Sequence, residues 1–215
     1  MSTASNLLVF LGLVIGLLFI WRESWRGRVR FFVAQSIVLA ALAAAIGGFA
    51  DRPALFAVAA AFVCVKVGAI PRVLRRMAAD QPLRPVMPGR SAGVRVLVAG
   101  VLVVVAYVVM LPVTGVAAAD VPTQAAMPLA FAIVLIGLYA CVTSRDALGQ
   151  VTGFLVFENG VFALALLATY GLPGIVEVGA FLEVLVLVLL MEGVVLQIRR
   201  EHDSIDVDRL RDLRG

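Results

Sequence analysis

The chain has 215 residues, 62% of them hydrophobic and 15% charged. Soluble domains carry about 25% charged residues, and a soluble core of this length cannot hide so much apolar surface, so a water-soluble globular enzyme is excluded. The net charge of +4 does not point to nucleic acid, because the arginines sit in short stretches between apolar runs, where they orient a membrane protein.

Several runs reach the ~18–20 apolar residues that cross a hydrocarbon core. Lipid cannot hydrogen-bond an exposed backbone, so these runs are read as helices. The predicted class is an all-α integral membrane protein. Its seven spans cover 5–21, 31–50, 53–71, 94–115, 125–143, 147–169 and 174–198. The first, in MSTASNLLVFLGLVIGLLFIW, lacks a basic n-region and a small-residue cleavage site. It reads as a retained helix. Pro53 and Pro173 suit first helical turns and Pro71 suits an exit. Pro112 falls near the end of the fourth span, where a kink costs little.

Arginine placement sets the expected topology. Arg22, Arg26, Arg28 and Arg30 follow the first span. Arg72, Arg75, Arg76, Arg84, Arg90 and Arg95 follow the third, Arg145 follows the fifth, and Arg199, Arg200, Arg209, Arg211 and Arg214 follow the seventh. With seven spans all of these share one side, and Arg52 alone lies on the other. The positive-inside rule then puts the N-terminus outside and the C-terminus in the cytoplasm. The prolines of the 71–93 connection argue against a continuous helix there. That connection either orients the chain by its charge or docks a soluble partner or anionic lipid. The tail 199–215 is either a solvated end or a second docking element.

Motif chemistry is sparse. Cys64 and Cys141 lie inside apolar runs and read as helix packing. The only histidine is His202, so zinc and iron–sulfur ligand sets are missing. No nucleophile–base set, phosphate loop or dinucleotide fingerprint occurs. The expectation is a chain that performs no covalent chemistry alone.

Buried charge is the informative feature. GFLVFENGVF places Glu158 at the middle of the sixth span, and the seventh carries Glu177, Glu183 and Glu192. A charge at the bilayer centre costs about 2.5–3.5 kcal/mol for Asp, Lys or Arg on insertion scales, and Glu is taken to behave alike. A pure scaffold would be more stable without them. Glu158 and Glu183 fall near the midplane, Glu192 toward the cytoplasm and Glu177 near the outer end. At ~100° per residue Glu177 and Glu192 share a flank, about 60° apart, while Glu183 faces elsewhere. The seventh helix therefore has polar neighbours on two sides. Lys66, in FVCVKVGAIP, is the one cation within a span. It is a relay group, the ion-pair partner of a glutamate, or a lysine snorkelling to the cytoplasmic interface. A buried carboxyl is neutral or charged according to neighbouring charge and water, so these groups suit proton transfer. Otherwise they act as neutral, hydrogen-bonded helix glue.

QVTGFLVFENGVFALALL resembles the glutamate-bearing helix of the K-type membrane subunit of respiratory complex I. VEVGAFLEVLVLVLLMEGVVLQIRR and IDVDRLRDLRG resemble that subunit's last helix and tail. The seven-span layout, with VKVGAIPRVLRR around Lys66, is similar to the hydrogenase-4 component E family of complex-I-related hydrogenase and formate hydrogenlyase-type assemblies. The resemblance implies a four-helix extension over 1–115, a three-helix K-like module over 125–198 and a cytoplasmic tail over 199–215. Glu158 matches the family's midmembrane glutamate, Glu183 an acidic position of the last helix and Glu177 a VELG-like stretch. Glu192 has no counterpart. Proton-transfer residues are thus expected at Glu158, Glu183, Lys66, Glu192 and Glu177.

The implied function is a non-catalytic subunit of a redox-driven ion-translocating complex in a prokaryotic cytoplasmic membrane. No cofactor is expected in this chain. Nickel–iron and iron–sulfur centres belong to partner subunits in that picture, and antiporter-like subunits and lipids are its membrane neighbours. Two alternatives stand beside it: a structural anchor whose glutamates fix helix packing, and a subunit of a sodium/proton antiporter without a redox partner.

Overall fold

A computed structural model describes residues 2–22, 24–79, 92–116, 123–144 and 147–170. The described residues are helical, with short turns between helices. The elements are α1 (Ser2–Trp21), α2 (Trp25–Phe49), α3 (Ala54–Phe62), a π-helical segment (Val63–Ala69), α4 (Ile70–Ala79), α5 (Ala92–Val116), a 3₁₀ turn (Gln124–Ala126), α6 (Met127–Thr143) and α7 (Ala147–Thr169). Six helical stretches within them are long and apolar enough to cross a membrane. They coincide with the first six expected spans. The chain is a multi-pass membrane protein, polar inside and apolar outside: Gln35, Ser36, Lys66 and Asn159 are buried while Leu97 and Val142 are exposed. The seventh span, the tail and Glu177, Glu183 and Glu192 lie outside the described residues, as do Pro173, Arg145 and positions 80–91 of the long connection.

Two boundaries differ from those read in the sequence, each for a local reason. Helix α2 begins at Trp25 instead of residue 31, so Arg26, Arg28 and Arg30 are helical. Ser24 caps this helix, its Oγ accepting from the Gly27 N–H at 3.4 Å, and such caps set helix starts independently of hydropathy. Arg28 is not a loop charge in water. It is buried, with its guanidinium 4.1 Å from the Phe19 ring centroid. Arg95 is likewise buried and donates from Nε to the Ile20 carbonyl at the end of α1, 3.3 Å away. Cations at a helix C-terminus satisfy carbonyls that have no intrahelical partner.

The second difference is at Pro71, where the helix does not exit. It runs on through α4 to Ala79. Proline has no N–H, and its ring crowds the carbonyl four residues earlier. Ahead of it the chain widens into the π segment, in which the Ile70 N–H reaches Val65 O, five residues back. That wider turn keeps the helix continuous through proline. Pro112 sits inside α5 near its end, as expected.

Between α2 and α3 the chain turns through Asp51 at φ 52°, and the Arg52 N–H donates to Gly47 O at 2.9 Å. This is a Schellman closure with Asp in the left-handed position. Of the two cysteines, Cys141 is half-buried but Cys64 faces outward. The packing role read for Cys64 is therefore corrected: an apolar run has a lipid-facing side as well as a buried one.

One hydrophobic core joins the helices. Helices α6 and α7 form the most extensive pair, α1 packs on α2 and α6, and α2 also packs on α3 and α7. The α6–α7 seam needs glycine. A Cβ on Gly137 would stand 2.2 Å from Phe157 N, and one on Gly160 would stand 2.5 Å from Val134 N. In hydrocarbon, small residues let backbones approach, and van der Waals packing then replaces the missing hydrophobic drive.

Candidate functional site

The bundle closes around a polar cluster contributed by α2, the π segment and α7. Lys66 Nζ lies 3.4 Å from Glu158 Oε1 and donates to Asn159 Oδ1 at 2.8 Å. It also sits 4.5 Å from the Phe62 ring centroid, and Phe62 packs on Phe162 with centroids 4.4 Å apart. The Lys66 side chain is fully buried and that of Glu158 is 14% exposed. Both lie near the middle of their helical stretches, Ala54–Arg76 and Leu148–Thr169.

Of the readings for Lys66, snorkelling is overturned and the ion pair is what the structure contains. The reason is the helix end. With an exit at Pro71, Lys66 would stand five residues from the interface. Because the helix continues past Pro71, Lys66 is central and its amine points inward. Lys66 lies within the π segment, and π turns are frequent at functional sites.

Neutral polar residues extend the cluster. Asn159 Nδ2 donates to Gln35 Oε1 and to Ser36 Oγ, each at 3.2 Å. Gln35 Nε2 donates to the Gly12 carbonyl of α1 at 3.1 Å, and Ser36 Oγ donates back to Phe32 O at 2.9 Å. Glu158 Oε2 is buried and has no hydrogen-bond partner among the described residues. A buried carboxyl oxygen in that state is costly unless water, a proton or another group meets it.

The sequence reading singled out Lys66 and Glu158, and the structure brings them together. Glu177, Glu183 and Glu192 are outside the described residues. Asn159, Gln35 and Ser36 were missed. Their signal was legible in the same way as that of the glutamate: an amide inside FFVAQSIVLAALAAA or FLVFENGVFAL needs a buried partner.

No family model matches the chain, and no solved structure matches it. Among curated proteins, the uncharacterized protein Rv0085 of Mycobacterium tuberculosis is 34% identical over 209 residues, covering 94% of this chain and 93% of that one. Hydrogenase-4 component E of Escherichia coli K12 is 28% identical over 216 residues, covering 100% of this chain and 99% of that one. The protein of the same name from Shigella flexneri matches to the same extent.

Proposed function

The chain belongs to the hydrogenase-4 component E family, and from that premise we propose that it is a membrane subunit of a multisubunit hydrogenase-type complex in which the Lys66–Glu158 pair takes part in moving protons across the membrane. The observation that carries the reading is the pair itself, held near the middle of two membrane-length helices. An ionised lysine and glutamate in hydrocarbon cost more than an apolar pair of the same volume. Keeping them makes sense where charge has to pass. Glu158 offers one oxygen to Lys66 while Oε2 is left for a proton or a water. In this proposal Lys66 moves toward and away from Glu158 as a proton passes.

In this proposal Glu183, Glu177 and Glu192 supply further carboxyls on the last span. The extension 1–115 carries Lys66 to the K-like module 125–198, and the C-terminus is cytoplasmic, in a prokaryotic inner membrane. Redox chemistry, with nickel–iron and iron–sulfur centres, belongs to partner subunits. Antiporter-like subunits flank this chain.

Glu158→Gln tests the reading. Glutamine preserves size and hydrogen bonding but removes the exchangeable proton. In sealed vesicles, ions moved per redox turnover should fall while assembly persists. Unchanged coupling would sink the proton role. A second reading, the structural anchor, has its own support in the hydrogen bonds that tie α2 to α7 through Asn159. It expects Glu158→Gln to be silent. Copurification of antiporter subunits with no redox subunit would instead favour the antiporter alternative.

A further inference from the structure

The hydrogen bonds around Asn159 run in one direction. A lysine ammonium has only donors, so it dictates that Asn159 turns its oxygen toward Lys66. The Asn159 amino group must then face α2, where Gln35 Oε1 and Ser36 Oγ accept from it. That in turn points the Gln35 amino group at Gly12 O. The orientation of each amide follows from the charge on Lys66. Three helices and the π segment are fixed by one chain of donors.

A small, partly open apolar pocket adjoins this chain between α1, α2, α6 and α7. Gln35 and Asn159 line it together with apolar residues such as Leu39 and Ile133, and neither Lys66 nor Glu158 lines it. Asn159 thus touches both the pocket and Lys66, and Gln35 adjoins it on the pocket side. Carboxamides accept and donate hydrogen bonds but do not titrate. Lysine, glutamate and water exchange protons; Asn and Gln at this place do not.

We infer that Asn159, held by Gln35 and Ser36, is a positioning residue that aims Lys66 at Glu158 and a proton-tight seal that separates this pair from the pocket between α1, α2, α6 and α7. The inference rests on the proton-transfer reading of Glu158 for its consequence, and on geometry alone for the seal. Protons then reach Glu158 from the side of Oε2 and not through the pocket. The Asn159 carbonyl also holds Lys66 when Glu158 is neutral, so the amine does not drift toward the pocket during the cycle.

Asn159→Asp and Asn159→Leu separate this from packing. Asp has nearly the shape of Asn but adds an exchangeable proton at the seal; Leu removes the hydrogen bonds but adds none. Sealed vesicles with an entrapped pH dye, without redox substrate, receive an acid pulse. At equal amounts of assembled chain, Asn159→Asp should admit protons faster than wild type and Asn159→Leu should not. With substrate present, Asn159→Leu should lose ion translocation per turnover while redox turnover continues. Wild-type permeability in the Asp variant, or the same leak in both variants, overturns the seal. Wild-type coupling in the Leu variant overturns the positioning role. If neither variant assembles, Gln35→Met with Ser36→Ala frees the Asn159 amide from α2. Loss of coupling in that pair supports the clamp and wild-type coupling overturns it. Glu158→Gln is run in parallel. If it alone leaves coupling intact, the proton-transfer reading fails, and the Asp-versus-Leu difference in permeability still decides the seal.

Discussion

Helices α5 and α7 look alike by length and differ in almost everything else. Ala92–Thr114 is the more apolar and few of its residues are buried, while Leu148–Thr169 is less apolar and about half buried. The more apolar helix is the more exposed one, the reverse of a soluble protein. Val101, Val104, Val108 and Leu111 of α5 are exposed, at no cost where the surroundings are hydrocarbon. Helix α7 turns Glu158 and Asn159 into the bundle and sets Gly153 and Gly160 against the α6 backbone. In a bilayer, residual polarity and glycine mark the buried helix, and pure hydrophobicity marks the outer one.

The sharpest way to break that contrast is to strip α7 of its counter-charge. Lys66→Met leaves the Glu158 carboxyl without its cation. Removing one member of a buried pair costs about 3–5 kcal/mol. Adding Glu158→Gln to Lys66→Met should recover most of the loss. The measurement is a double-mutant cycle on thermal unfolding of the solubilised complex. Additive losses would show that the two side chains are not coupled. No single charge change on the outward face of α5 has a buried partner to strand in this way.

A smaller effect is expected from the seam. Gly160→Ala drives a methyl to 2.5 Å from Val134 N, a backbone atom that cannot rotate away. Overpacking of this kind costs about 1–3 kcal/mol, and here it separates α6 from α7 just beside Glu158. Gly137→Ala, which meets Phe157 N, should behave likewise. Lower melting temperature and loss of assembled subunit are the readouts. Wild-type stability in both variants would show the seam to be looser than its geometry.

The sequence disclosed the bundle more fully than its centre. Six spans were legible because an apolar run of membrane length has one use. Their ends were less so, because hydropathy reports where the lipid stops and not where the helix does. Ser24 starts α2 outside its apolar run, and the π segment carries a helix through Pro71. Lys66 and Glu158 were visible as charges among apolar residues. Their pairing was not, since periodicity within one helix says nothing about which helix lies opposite. Asn159 and Gln35 escaped because a search for charge passes over neutral amides, although an unpaired amide in hydrocarbon is also costly. The glycines of the seam read as ordinary helix residues until the facing backbone is in place.

The smallest expected effect belongs to α5 and tests the comparison from its other side. A Cβ on Gly100 meets nothing within 4 Å. In a helix interior, Gly is less favourable than Ala by about 0.8–1.0 kcal/mol. Gly100→Ala should therefore leave stability unchanged or raise it by up to about that amount, against the loss at Gly160. The comparison is best made twice, on the isolated chain in detergent and on the complex in native membranes. Tolerance in both is expected if lipid faces Gly100 throughout. Tolerance in detergent with loss of assembly in the membrane would mean that another subunit packs closely on α5, and its apolar surface would then be an interface instead of a lipid-facing wall. Damage in the isolated chain as well would contradict the exposed position of α5 and remove the basis for contrasting it with α7.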